Sequence, residues 1–138
     1  MLNPEIIEND LPIATYRHLR VVSGLSAKTV EASEKGLPNS LYTVLLKMDQ
    51  RAIGMGRVIG DGGCFCQVVD ICVHPDFQGQ GLGKRIMECI TTYLKENLPT
   101  SCYVSLIADG DAAFLYEKFG FRDTLPASRG MYLDFATL

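Results

Sequence analysis

The sequence predicts an α/β (α+β) fold: a mixed, mostly antiparallel twisted sheet of six to seven strands flanked by about four helices. Two observations predict it. Three β-rich runs, Leu41 to Met48, Ala52 to Ile59 and Phe65 to Val73, are joined by tight polar or glycine turns, which makes an antiparallel meander. The last of these runs leads through Gln78-Gly79-Gln80-Gly81-Leu82-Gly83-Lys84 into a helical pattern, Ile86, Met87, Ile90, Tyr93 and Leu94, and then a strand at Cys102 to Ala108. Strand, helix and strand in one sheet require a parallel pair with a right-handed crossover.

The remaining elements follow from local signals. Pro4 to Ile7 reads as a first strand. Asn9 or Asp10 is placed to cap a helix with Pro12 in its first turn, and Ser26 to cap a second, weakly amphipathic one ending at Gly36. Gly54 and Gly56, two apart, share one strand face and allow close approach there. Asp111 precedes a short helix, Ala112 to Phe119, stopped by Gly120, and Phe121 to Thr124 and Gly130 to Phe135 read as two closing strands.

Composition narrows the function. A chain of 138 residues with 47% hydrophobic and 21% charged residues is that of one ordinary globular domain, residues 1–138. The net charge of −3 argues against nucleic acid as a partner. No apolar run is long enough to span a bilayer, so no membrane partner is expected and the cytoplasm is the default location. The five cysteines are odd in number and scattered, without metal-ligand spacing from His18 or His74; neither a metal nor a structural disulfide is expected.

The glycine loop carries the chemistry. Glycines let a backbone turn tightly and approach a ligand, and the first turn of a helix offers unpaired N–H groups and the positive end of its dipole. A phosphate or pyrophosphate suits that position. The mononucleotide P-loop fails, because Gln78 and Arg85 stand where glycine and Ser/Thr are needed. The dinucleotide fingerprint fails at Lys84.

Gln78-x-x-Gly81-x-Gly83 does resemble the pyrophosphate motif of the GNAT superfamily of acyl-CoA-dependent N-acetyltransferases. Tyr116-Glu117-Lys118-x-Gly120-Phe121 resembles that superfamily's second signature, and the two cover roughly residues 65 to 121. The coenzyme half is similar to that of glucosamine-phosphate N-acetyltransferases. The resemblance implies acetyl-CoA as cosubstrate, with Gln78, Gly79, Gln80, Gly81, Leu82, Gly83 and Lys84 around the pyrophosphate. It further implies coenzyme contacts from Ile71, Cys72, Val73, Phe114, Tyr116 and Lys118, with an oxyanion-stabilising N–H at Cys72 or Val73 on a strand bulge. Ala112 departs from the family pattern, where many relatives place an asparagine that contacts the coenzyme.

By its motif position Tyr116 is the expected general acid. A phenol titrates near ~10 and a free thiol near ~8.5, so a protonated tyrosine can donate to a departing thiolate. Asp70 is a charge inside an apolar strand, open to three roles: base through a water, anchor for a cationic amine, or structural aspartate. Asp109 shares that ambiguity. Cys72 keeps a covalent route open, and His74 is expected to be solvated. The resemblance implies transfer to a small-molecule amine in a ternary complex; a protein lysine or N-terminus, or a sensor module without turnover, are the alternatives. Domains of this kind pair through sheet edges or terminal strands, which admits a homodimer.

Overall fold

The computed structural model describes residues 2–138 and divides into two compact units, one ending at Leu106 and one spanning Ile107–Leu138. The first unit holds strands β1 (Glu5–Glu8), β2 (Tyr42–Met48), β3 (Arg51–Gly60), β4 (Phe65–Val73) and β5 (Tyr103–Leu106) in one sheet, ordered β1-β2-β3-β4-β5. β1 to β4 pair antiparallel and β5 lies parallel to β4. Helices α1 (Ile13–Val22) and α2 (Val30–Gly36) separate β1 from β2, and α3 (Leu82–Asn97) makes the crossover from β4 to β5.

Strand periodicity sends alternate side chains to opposite helices. Leu45, Met55 and Cys72 pack with Tyr16 and Leu19 of α1. The α3 stripe of Leu82, Ile86, Met87 and Ile90, all at most 2% exposed, takes the other face. There Gly54 and Gly56 are what let α3 seat. A Cβ at Gly56 would lie 2.7 Å from Ile86 Cγ2 and 2.8 Å from Ile90 Cδ1, closer than carbon atoms pack. The β2–β3 hairpin turns through Asp49 and Gln50, both at positive φ (50° and 67°), the conformation that matches the right-handed strand twist.

Two helix starts differ from expectation, each because its cap residue is committed elsewhere. Asn9 exchanges hydrogen bonds with Thr43, its backbone N–H donating at 2.9 Å and its Oδ1 accepting at 3.2 Å, so α1 begins after Pro12 with no side-chain cap. Ser26 is held by Arg20, and Thr29 caps α2 instead, its Oγ1 accepting from the Ala32 N–H at 3.0 Å.

The second unit contains α4 (Ala112–Glu117) and a single 3-10 turn at Phe135–Thr137. Asp111 starts α4 without a side-chain cap bond, and Gly120 ends the region at φ +95°. Neither Phe121 to Thr124 nor Gly130 to Phe135 forms a strand, so the sheet has five strands among the described residues, not six to seven. Strand pairing needs a partner edge as well as an apolar pattern. Met131, Tyr132, Leu133 and Phe135 have the pattern but are 67–88% exposed.

Candidate coenzyme and acyl-transfer site

The β4–α3 junction is built as an anion cradle. A 3-10 turn at Pro75–Phe77 leads to Gln78, whose side-chain amide donates to the Val73 carbonyl at 3.1 Å and folds the loop back on the end of β4. Gly79 and Gly81 follow at φ +76° and +81°, backbone that L side chains rarely adopt. A Cβ at either would meet nothing within 4 Å, so the glycines serve the turn and the space before them is open. Gly81 is the N-cap of α3 and no side chain caps it; no acidic residue sits in the first turn, whereas Lys84 and Arg85 do. The leading N–H groups of a 16-residue helix and its dipole therefore face the open loop, and Lys84 and Arg85 add positive charge to the same first turn. A pyrophosphate fits this donor set.

β4 supplies the neighbouring surface. β3 pairs with it along its length, but β5 leaves it after the Val68–Leu106 pair. Val69 to Val73 thus has no strand partner on that edge among the described residues. Within the same stretch the register slips: Met55 faces Cys72 and Arg57 faces Val69, so Asp70 and Ile71 together oppose Gly56. This is a bulge, and Asp70 turns it at φ +60°. An unpaired strand edge accepts an extended ligand bearing amide groups, as a peptide adds to a sheet.

The Asp70 carboxylate, only 5% exposed, points into a cluster the sequence reading did not assemble. Arg20 Nη1 pairs with Oδ1, Arg57 Nη1 with Oδ2 at 3.1 Å, and the Tyr16 hydroxyl donates at 3.1 and 3.2 Å. Burial, then the neighbouring carboxylate, push the Tyr16 phenol above its usual range, so it stays a donor. Removing one partner would strand a buried charge at a cost of about 3–5 kcal/mol, more than the ~1–2 kcal/mol of holding a non-glycine residue left-handed, so the Asp70 conformation is locked by its partners. The legible signal was a lone charge in an apolar strand, which demands a cation; Arg57, on the adjacent strand, was the nearest in sequence.

Cys72 is 7% exposed and its Sγ donates to the Leu19 carbonyl at 3.7 Å. Burial pushes its thiol up to about 11, so the sulfur is neutral at pH 7. His74 is 7% exposed, not solvated. Its Nδ1 accepts from the Asp76 N–H at 3.1 Å, Arg51 Nη2 lies 3.1 Å from its Nε2, and the Phe77 ring packs edge-on at 5.9 Å. These contacts shape the turn before the loop.

In the second unit, α4 carries Phe114, which is 66% exposed, and Tyr116, and Lys118 is its C-cap. The Tyr116 ring meets Phe121 edge-on at 6.4 Å, and its carbonyl accepts from the Phe119 and Phe121 N–H groups at 3.0 and 3.3 Å. Asp109 is exposed. The described residues include no group of three or more His, Cys, Asp or Glu arranged to hold a metal ion. A cavity of about 480 Å³ at the far end of α3 is lined by Glu8, Glu88, Glu96 and the stacked Tyr42–Tyr93 pair, a surface unsuited to phosphate.

A glycine loop at an uncapped helix start, beside a bulged strand that has lost its parallel neighbour, is an arrangement suited to a phosphate-bearing ligand with an extended arm. The chain belongs to the GNAT acetyltransferase family: the family's acetyltransferase domain matches residues 39–123, across both units. A probable acetyltransferase of unknown function from meticillin-resistant Staphylococcus aureus is 51% identical, with a TM-score of 0.90 over 96% of this chain and 100% of that one. An uncharacterized N-acetyltransferase, ycf52, of Gracilaria tenuistipitata var. liui is 34% identical over 101 residues, 70% of this chain and 54% of its own length. The chain spans about half the length of the curated relatives it matches first. Glucosamine-6-phosphate N-acetyltransferase of Arabidopsis thaliana shares the fold, at 18% identity and TM-score 0.69 over 95% of this chain and 99% of that one.

Proposed function

We propose that the chain is one N-acetyltransferase domain that moves an acetyl group from acetyl-CoA to the primary amine of a small molecule, by direct transfer in a ternary complex. The acceptor is of amino sugar, polyamine, amino acid or aminoglycoside type. The observation that carries the reading is the uncapped α3 N-terminus behind Gly79 and Gly81, next to the unpaired edge of β4. Amides of Gln78 to Lys84 hold the pyrophosphate. The edge of Ile71, Cys72 and Val73 receives the pantetheine amides, and the bulge directs an N–H to the thioester carbonyl, whose oxygen gains charge as the amine attacks. The C–S bond then breaks, and Tyr116 gives its proton to the departing sulfur. The amine proton leaves to water or to Asp109, because the Asp70 carboxylate is engaged by three donors.

Direct transfer is favoured over an acyl-enzyme, since the neutral, buried Cys72 thiol is a poor nucleophile. Among the described residues no helix is long and apolar enough to cross a membrane. The proposal extends to a cytoplasmic protein, active alone or as a homodimer. It is tested by thiol release from acetyl-CoA against a panel of amines, with Tyr116→Phe as control. Turnover on one amine class, lost in the variant, is expected. Tight acetyl-CoA binding without turnover on any small amine would overturn it in favour of a protein acceptor or a sensor.

A further inference from the structure

The contacts that leave the Asp70 centre all land on one stretch of chain. Arg20 uses Nη1 for Asp70 and sends Nε to the Ser26 carbonyl at 2.8 Å and Nη2 to the Ser26 hydroxyl at 3.0 Å. Arg57 uses Nη1 for the other carboxylate oxygen, and sends Nε to Ser40 Oγ at 2.6 Å and Nη2 to the Gly36 carbonyl at 2.9 Å. Ser26 precedes α2; Gly36 ends it and Ser40 follows it. Each end of the α2 segment is therefore gripped by one guanidinium, and both guanidiniums grip the carboxylate that turns the β4 bulge. The three side chains are 5–11% exposed, so water screens the link little.

We infer that Arg20 and Arg57 are positioning residues for acyl transfer: through Asp70 they fix the β4 bulge and couple it mechanically to residues 26–40. The inference rests on the acetyl-transfer reading above. A planar guanidinium is suited to the task, because its forked donors bind a carboxylate on one side while reaching carbonyl and hydroxyl oxygens on the other. A lysine carries the same charge but cannot span both. Burial alone requires each guanidinium to satisfy its remaining donors, so the outward bonds by themselves fit a structural cluster; a paired change in kcat and exchange separates the two roles.

The test compares Arg57→Lys, Asp70→Asn and the milder Ser40→Ala with wild type, in steady-state kinetics, coenzyme A binding by calorimetry, and amide hydrogen exchange. In Arg57→Lys and Asp70→Asn, kcat should fall about tenfold or more and by a larger factor than coenzyme A affinity, because the pyrophosphate loop is untouched and only the pantetheine edge is loosened. Exchange should accelerate together in peptides covering residues 69–73 and 26–40. Ser40→Ala removes only an outer contact, so it keeps the fold should the other two lose it; it should show the same paired exchange change with a smaller drop in kcat. Folded variants with wild-type kcat, or faster exchange in one segment only, would overturn the inference. Wild-type protein that binds coenzyme A yet acetylates no amine would sink the underlying reading, a failure visible without any variant, and the positioning role would fall with it.

Discussion

The chain makes the same local construction twice, strand then glycine turn then helix, and the two differ in how well they suit an anion. At β4–α3 the turn holds Gly79 and Gly81, the helix runs 16 residues, and Lys84 and Arg85 follow its start. At β5–α4 the turn is Asp109-Gly110-Asp111, Gly110 again at positive φ, but the helix runs six residues and two carboxylates flank its start. A short helix has a weak dipole, and like charge repels a phosphate. The glycine turn is the common part; helix length and charge decide what it can hold. The second junction presents a side chain, Tyr116, rather than a helix end.

That contrast can be broken by substitution. Tyr116→Phe should lower kcat about 100-fold with coenzyme A affinity unchanged, measured by steady-state kinetics beside calorimetry. Gly81→Val forces a β-branched residue to φ +81°, and should weaken coenzyme A binding about 30-fold, because strain of about 2 kcal/mol moves the cradle amides. Reversing one charge with Lys84→Glu should cost about tenfold in affinity at low salt and less at high salt. Asp111→Ala, at the second junction, should change affinity less than about twofold; a larger loss would show that this turn also meets the coenzyme. The smallest expected signal concerns the thiol route. With its pKa raised by burial, Cys72 stays protonated below the unfolded value of 9.0, and its contribution to stability is lost as pH climbs toward about 11. Alkylation at pH 7.5 should label exposed Cys64 first and the buried Cys66 and Cys72 last, with no acetyl group on Cys72 by mass spectrometry.

The same contrast marks what could be read from sequence. The cradle was legible because its determinants are local: glycines at fixed offsets, an apolar stripe at helical spacing and a basic first turn lie within 20 residues. The hairpins were legible for the same reason. The partners of Asp70 were not, since Tyr16 and Arg20 lie 54 and 50 positions away and only the folded sheet brings them together. His74 resisted for a related cause: its burial comes from Arg51, on the preceding strand, and from Phe77. The tail shows the opposite error. Gly130 to Phe135 carries a strand pattern, yet pattern alone does not create a ladder.

The seat of α3 on Gly54 and Gly56 has a consequence for how the protein spends its entropy. With Ile86 and Ile90 pressed on bare backbone, the helix can neither roll nor slide without a steric clash. The start of α3 and its leading N–H groups are therefore fixed by packing in the folded chain itself, and a ligand bound there would spend little of its binding energy on ordering the helix.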